Sequence, residues 1–505
     1  MTETTSRFWG TPFVTLPLFL ALTFGVRFSW FYTPTIDWDE STFILFGQHI
    51  LNGGLPYVDY FDVKPPLLFY FFAGVIKVLG ASIPAIRVAG ALCVFATASA
   101  CYFLARYLWD ATAGFFAGVL CIAGMSVGGG MATLSETVAM APLAAWAYLI
   151  IVHNRRAWSM FLAGVCMGAA VLIRSNLAYV CLLSAPCILY ILLGNRRGCL
   201  LRASAYALGG VLVLLLTLYP FYSHDALADL YRAVVMTPLL TMWGAAMSAA
   251  GIKALIWSWN DGINFFLVLS FCGVVFCVSQ IKAQPAPFGK YCIFLFSILV
   301  GVGFSFFGGR TIYAHYILQL VPVLALFGGY LLSRLNQDCS RMRMLCHVLA
   351  FYCLLVSLLP LSGTLQRLMG IAHSRDGEFH VLMSDESKAA RYIKERLPEG
   401  RCIWVMNNHI LYWLLSLEPP TKYLIHPSVI TSDAQIAVAS GHKASATGEI
   451  EDVFARRPYF IVRHESSAYL RDETPEVDLI NTTMRRNYEK VAQFGPLGVF
   501  RISDS

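Results

Sequence analysis

Between residues 35 and 70 the sequence reads TIDWDESTFILFGQHILNGGLPYVDYFDVKPPLLFY. The stretch holds five carboxylates, Asp37, Asp39, Glu40, Asp59 and Asp62, and one lysine set against two prolines, Lys64-Pro65-Pro66. Two chemical tasks suit that mixture. A carboxylate can take the proton from a hydroxyl as the hydroxyl attacks an electrophilic carbon. A lysine or arginine can hold an anionic leaving group whose charge grows as its bond breaks, which stabilises the transition state more than the ground state. Further polar groups recur downstream: Glu136 in GGGMATLSETVAM, Arg174 in LIRSNLAY, Arg232, and Arg310, His315 and Tyr316 in FFGGRTIYAHY. Plainer roles compete for the same residues. Asp39 and Glu40 could cap a helix starting near Ser41; Asp37, Asp59 and Asp62 suit loops and turns; Lys64 could snorkel to an interface. Arg174 and Arg232 could anchor at headgroups or pair with acids, and His315 could be a satisfied structural histidine.

The elements that must position these groups are membrane helices. Of 505 residues 57% are apolar and 13% charged, and the mean hydropathy is +0.62, far above an ordinary soluble domain. Apolar stretches near bilayer-crossing length recur. The first, about 12–32, lacks a small-residue cleavage site and reads as a retained anchor. The formal charge of +7 is scattered between apolar spans, which argues against a nucleic-acid partner. Most of the fourteen cysteines sit inside apolar segments as small hydrophobes. Cys402 stands alone in the polar tail and no C-x-x-C pair occurs, so the cysteines point to neither an internal disulfide nor a metal site.

Basic clusters set the orientation. Arg106, HNRRAW (153–158), GNRRGCLLR (194–202), QIKAQPAPFGK (280–290) and the group Arg334, Arg341 and Arg343 all fall on one side if that side is the cytoplasm. The spans are then near 12–32, 84–107, 111–129, 137–152, 158–174, 177–193, 203–222, 257–278, 291–308, 314–333 and 345–362, about eleven crossings. The N-terminus lies inside and the tail outside. Segment 65–80 is short and carries Lys77; counting it as a span would invert every later loop. It is expected to lie along the outer interface with helix 40–52 nearby, inside one large outer loop, 33–83. The tail alternates helix and strand: DESKAARYIKERL and HILYWLLSL read as helices, RCIWVM, PYFIVR and GVFRIS as strands. The expected fold class is an α-helical polytopic membrane protein (1–364) with a small extracytoplasmic α/β domain (365–505). The NTT sequon at Asn481 reads as a chance match.

With this topology the acidic loop, Glu136 and the segment 306–316 all face outward. Charges at membrane depth are expensive unless paired or used. A sugar carried on a lipid phosphate would use both kinds of group: a carboxylate to activate the acceptor hydroxyl, and cations to hold the departing phosphate.

The order of motifs resembles the lipid-linked-sugar glycosyltransferases, namely the aminoarabinose (lipid A) transferase and protein O-mannosyltransferase superfamily. The resemblance is carried by Asp39-Glu40 after the first span, ILNGGLPYVDYFDVKPPLLFY, SIPAIRVAGAL, Glu136 in the second outer loop, GRTIYAHYILQLVPVLAL and AARYIKERLPEG. It covers nearly the whole chain. It implies a GT-C fold and a polyprenyl-phosphate sugar donor of the undecaprenyl type. By carry-over Asp39 is the general base, steadied by Glu40. Lys64, Arg310 and Arg174 contact the donor phosphate, and Tyr57, Glu136, His315 and Tyr316 line the pocket. Asp39 and Glu136 are the pair that would take a divalent metal. Glutamate stands at 136 where the aminoarabinose enzymes have aspartate, and some relatives work without a metal, so no cofactor is assigned.

The implied activity is inverting transfer to lipid A or lipopolysaccharide core, another surface glycan, or a protein, at a bacterial cytoplasmic (inner) membrane. A transporter or flippase of lipid-linked sugars is the alternative from another class. Such proteins tend to bury charges mid-bilayer and show internal repeats; no repeat is visible, and the acids gather at one surface. A third alternative is a non-catalytic sensor or assembly partner, which would tolerate loss of both Asp39 and Lys64. Neither the sugar, the acceptor nor the oligomeric state follows from the sequence.

Overall fold

A computed structural model describes residues 11–126, 129–194, 196–244, 263–281, 286–307, 314–338 and 384–503, short breaks at 425–426, 441–443 and 472 aside, with scattered residues between 341 and 352. The chain divides into two compact units. One comprises residues 1–31, 86–217 and 245–367; the other comprises 32–85, 218–244 and 368–505.

The first unit is helical. Its helices, in chain order with those of the acidic loop, are α1 (Pro12–Arg27), α2 (Trp38–Leu51), α3 (Pro66–Leu79), α4 (Ile83–Leu108) and α5 (Ala111–Gly124). Then come α6 (Ser135–Val152), α7 (Ala157–Ile173), α8 (Ala178–Leu193), α9 (Cys199–Ser223), α10 (Ile263–Gln280), α11 (Ala286–Phe307) and α12 (Val321–Asp338). Among the described residues, five helical segments are long and apolar enough to cross a membrane, and five further apolar helices are shorter. The expected span near 345–362 falls mostly outside the described residues. Helix starts follow local chemistry. Asp110 caps α5 by accepting from the Ala113 amide at 2.8 Å, and the same carboxylate accepts from the Ser333 hydroxyl on α12.

The second unit contains α2 and α3, which form a hairpin with its own aromatic core. Phe43 and Phe46 of α2 and Phe69 and Phe72 of α3 are fully buried, with Phe46 and Phe69 stacked at 4.1 Å. Each such ring contributes about 1.5–3 kcal/mol by leaving water. The helices touch backbone to backbone at Gly47, where an added Cβ would come within 2.8 Å of the Ala73 amide nitrogen. Only glycine permits that approach.

The tail forms a four-stranded sheet in the order β1-β2-β4-β3, with β1 (Ile403–Val405), β2 (Phe460–His464), β3 (Tyr488–Phe494) and β4 (Leu497–Ile502). Strands β1 and β2 run parallel, and β4 is antiparallel to β2 and β3. Helices Ala446–Ala455 and Pro475–Asn487 supply Ile450, Val453, Ile480 and Met484 to a core shared with Trp404, Ile461 and Ile502. Strands β1, β2 and β4 match those read from sequence. Strand β3 was not anticipated, because an edge strand carrying exposed Glu489 and Lys490 lacks an alternating apolar pattern. Asn481 of the sequon sits on helix Pro475–Asn487, and its side-chain oxygen accepts from Arg463 at 2.7 Å.

The acidic loop and the tail pack together in the second unit, which the sequence did not signal. The Phe61 amide donates to the Lys422 carbonyl at 2.7 Å, Phe61 and Tyr423 form a parallel bridge, and the Thr42 hydroxyl donates to the Leu424 carbonyl at 3.2 Å.

Candidate active site

Two polar clusters form, one in each unit. In the second unit, helix α2 starts at Trp38 and its N-cap is Asp37, whose carboxylate accepts from the Asp39 amide at 3.0 Å. The cap is thus Asp37, and not Asp39 or Glu40, for which capping was the competing plain role. With Asp37 as the cap, the Asp39 carboxylate is available for another role, and it lies 3.5 Å from Lys64 Nζ. That separation exceeds the 2.7–2.9 Å of a fully formed ammonium–carboxylate hydrogen bond. The two side chains keep 20% and 18% of their surface exposed, so an incoming molecule can reach both. Glu40 is buried beside Asp39 in the first turn.

Asp62 was expected to be an ordinary loop acid. Instead it is 2% exposed, and its Oδ1 accepts from the Lys64 amide at 2.9 Å. Burial pushes its carboxyl up to about 6; the Lys64 charge and amide oppose the rise, and the Asp39 charge adds to it. The signal that could have found Asp62 is its spacing, two residues before Lys64, which suits an Asx turn onto the lysine amide. Tyr57, expected to line the pocket, is 3% exposed, and its hydroxyl donates to the Lys64 carbonyl at 2.7 Å. Burial, then the Asp62 charge, raises the Tyr57 phenol well above its ordinary value. Asp59 pairs with His49 at 3.0 Å at the surface.

In the first unit, Glu136 and Arg174 form a buried ion pair at 2.7 Å, with side-chain exposures of 1% and 5%. Arg174 also donates to Ser135 Oγ at 2.9 Å, and the Ser135 hydroxyl donates to the other Glu136 oxygen at 2.9 Å. The Gln319 amide completes the set: its oxygen accepts from Arg174 Nε and Nη2 at 3.2 and 3.1 Å, and its nitrogen donates to Ser305 Oγ. The guanidinium lies 4.6 Å from the Tyr316 ring centre, and His315 Nε2 is 3.7 Å from Glu136. So the structure brings Glu136, Arg174, His315 and Tyr316 together, and adds Ser135 and Gln319, neutral side chains that carried no sequence signal. Arg174, expected at the donor phosphate, directs its donors to protein acceptors. Gln319 also lines a small apolar pocket together with Leu104, Leu143, Leu295 and Leu326. Nearby, Arg27 donates to the carbonyls of Met125, Gly130 and Met131, tying down the loop before Glu136.

Arg310 lies outside the described residues. Arg232 pairs with Asp229. Among the described residues no group of three or more His, Cys, Asp or Glu side chains could hold a metal ion. Asp39 faces an ammonium and Glu136 a guanidinium, which satisfy the negative charge a divalent ion would need; the proposed metal pair does not fit these surroundings.

Residues 63–224 match the family model described as dolichyl-phosphate-mannose-protein mannosyltransferase, a stretch containing Lys64, Glu136 and Arg174. No curated protein matches the chain in sequence. The fold is similar to ArnT from Cupriavidus metallidurans bound to undecaprenyl phosphate, at TM-score 0.61 and 14% identity, covering 97% of this chain and 98% of that one. Apo ArnT gives 0.58 at 14% identity over 96% and 97%. The apo oligosaccharyltransferase of Archaeoglobus fulgidus gives 0.50 at 11% identity over 92% and 70%. The resemblance to the lipid-linked-sugar glycosyltransferases is borne out to this extent: residues 63–224 match the mannosyltransferase family model, and nearly the whole chain is similar in fold to ArnT.

Proposed function

We propose that the protein is an inverting glycosyltransferase that moves a sugar from a polyprenyl phosphate of the undecaprenyl type to an acceptor hydroxyl outside the cytoplasmic membrane. The observation that carries this is the solvent-accessible Asp39–Lys64 pair at 3.5 Å. Asp39 accepts the acceptor's proton as its oxygen attacks the anomeric carbon. The carbon–phosphate oxygen bond breaks, its electrons pass to the lipid phosphate, and Lys64 stabilises the charge that develops there. Attack opposite the leaving phosphate inverts the anomeric centre.

The ArnT structure that resembles this fold holds undecaprenyl phosphate, which supports a polyprenyl-phosphate donor here. The Glu136–Arg174 pair serves as a fixed, neutral support for His315 and Tyr316. In this reading the chain crosses the inner membrane about eleven times, with 1–364 as the membrane domain and 365–505 outside. The acceptor is lipid A or core oligosaccharide, another surface glycan, or a protein.

The test uses purified protein in vesicles with radiolabelled polyprenyl-phosphate sugar and a candidate acceptor. Covalent product from wild type and none from Asp39→Asn supports the reading. Movement of donor between leaflets without product would establish the flippase instead.

A further inference from the structure

Lysine has four rotatable side-chain bonds, so an ammonium is well aimed only if its backbone is fixed. At Lys64 both neighbouring main-chain groups are engaged by buried side chains. The amide donates to Asp62 Oδ1 at 2.9 Å, and the carbonyl accepts from the Tyr57 hydroxyl at 2.7 Å. Pro65 and Pro66 follow, and Pro66 opens α3, so the chain beyond Lys64 is stiff as well.

Tyr57 adopts φ +71°, a left-handed conformation costly for a residue with a Cβ. Its surroundings hold it there. The Tyr57 amide donates to the Tyr60 carbonyl at 2.6 Å, and its ring packs 5.6 Å from Phe221 and 6.0 Å from Phe69. Strain concentrated at a residue whose hydroxyl makes one specific bond points to that bond. Neither Tyr57 nor Asp62 is exposed enough to touch a substrate.

Building on the glycosyltransferase reading, we propose that Tyr57 and Asp62 are positioning residues that hold the Lys64 main chain so that its ammonium meets the donor phosphate. Their effect falls on donor binding, while Asp39 carries proton transfer.

Full-length variants reconstituted in vesicles are assayed with labelled polyprenyl-phosphate sugar. Tyr57→Phe keeps the ring and removes the hydroxyl; the donor KM is expected to rise about fivefold, the size of one net hydrogen bond, with kcat and acceptor KM little changed. Asp62→Ala should raise the donor KM similarly. Asp62→Asn retains an oxygen for the Lys64 amide and should leave the donor KM no higher than wild type. A purely structural role would instead lower kcat and the unfolding temperature together. An unchanged donor KM in Tyr57→Phe, or equal damage from Asp62→Asn and Asp62→Ala, overturns the proposal while leaving the transferase reading intact. Absence of transfer by wild type, or full transfer by Asp39→Asn, defeats the transferase reading itself.

Discussion

Asp39 Oδ2 stands 3.5 Å from Lys64 Nζ, a base and a cation brought face to face from the start of one helix and the turn before the next. Their roles separate on mutation. Asp39→Asn keeps the shape and removes the proton acceptor, so sugar transfer should fall about 10²- to 10⁴-fold with donor binding retained. Single-turnover transfer and donor binding, measured side by side, check this.

In the proposed mechanism, Lys64→Ala removes the charge opposite the leaving phosphate. Loss of a charge-assisted hydrogen bond should weaken donor binding about tenfold to a hundredfold. Lys64→Arg should recover part of it. Competition by sugar-free polyprenyl phosphate gives the direct readout, and unaltered competition in Lys64→Ala would remove the phosphate assignment.

Asp62 introduces a pH dependence. Its carboxyl titrates at about 6, raised by burial and by the Asp39 charge against the pull of Lys64. Above that pH, two carboxylates share one ammonium and repel an incoming phosphate; below it, Asp62 is neutral. Donor KM should therefore rise as the pH increases through about 6, and Asp62→Asn should abolish the step. Stability follows the same sign. The folded state holds a proton that the unfolded chain releases near pH 3.9, so this contribution to stability is present below that pH and is lost as pH rises through about 6.

Glu136→Leu leaves the Arg174 guanidinium buried without its carboxylate, which should cost about 3–5 kcal/mol. Pairing it with Arg174→Met should restore much of the loss, because two apolar groups replace the ion pair. Thermal unfolding of the single and double variants in detergent measures the coupling. Additive losses would show that the 2.7 Å contact is energetically idle.

Gly47→Val inserts a side chain where α2 and α3 approach backbone to backbone. The hairpin must open, carrying Asp39 and Lys64 apart. Transfer should drop at least tenfold, well beyond any fall in folded protein, since misplacement of about 1 Å can cost a hundredfold. Equal losses of folded protein and activity would show that the hairpin does not set the geometry.

The sequence by itself determined the helix-rich, apolar character of the molecule and where its carboxylates and cations fall along the chain. Apolar run lengths gave the membrane helices, because bilayer thickness fixes how long such a run must be. The order of Asp39, Lys64 and Glu136 carried the family resemblance. Three tail strands were legible because buried strands are apolar, whereas β3 was not, since its exposed charges belong to a sheet edge. Only the tertiary structure decided where each acid sits and what it touches. Sequence cannot separate Asp37 from Asp39 as cap, because both are carboxylates at a helix start. Nor can it show that Asp62 and Tyr57 are buried against the Lys64 main chain, or that Arg174 is held by Glu136, Ser135 and Gln319. Those assignments depend on burial and on distances between groups remote in the chain, and no local pattern encodes either.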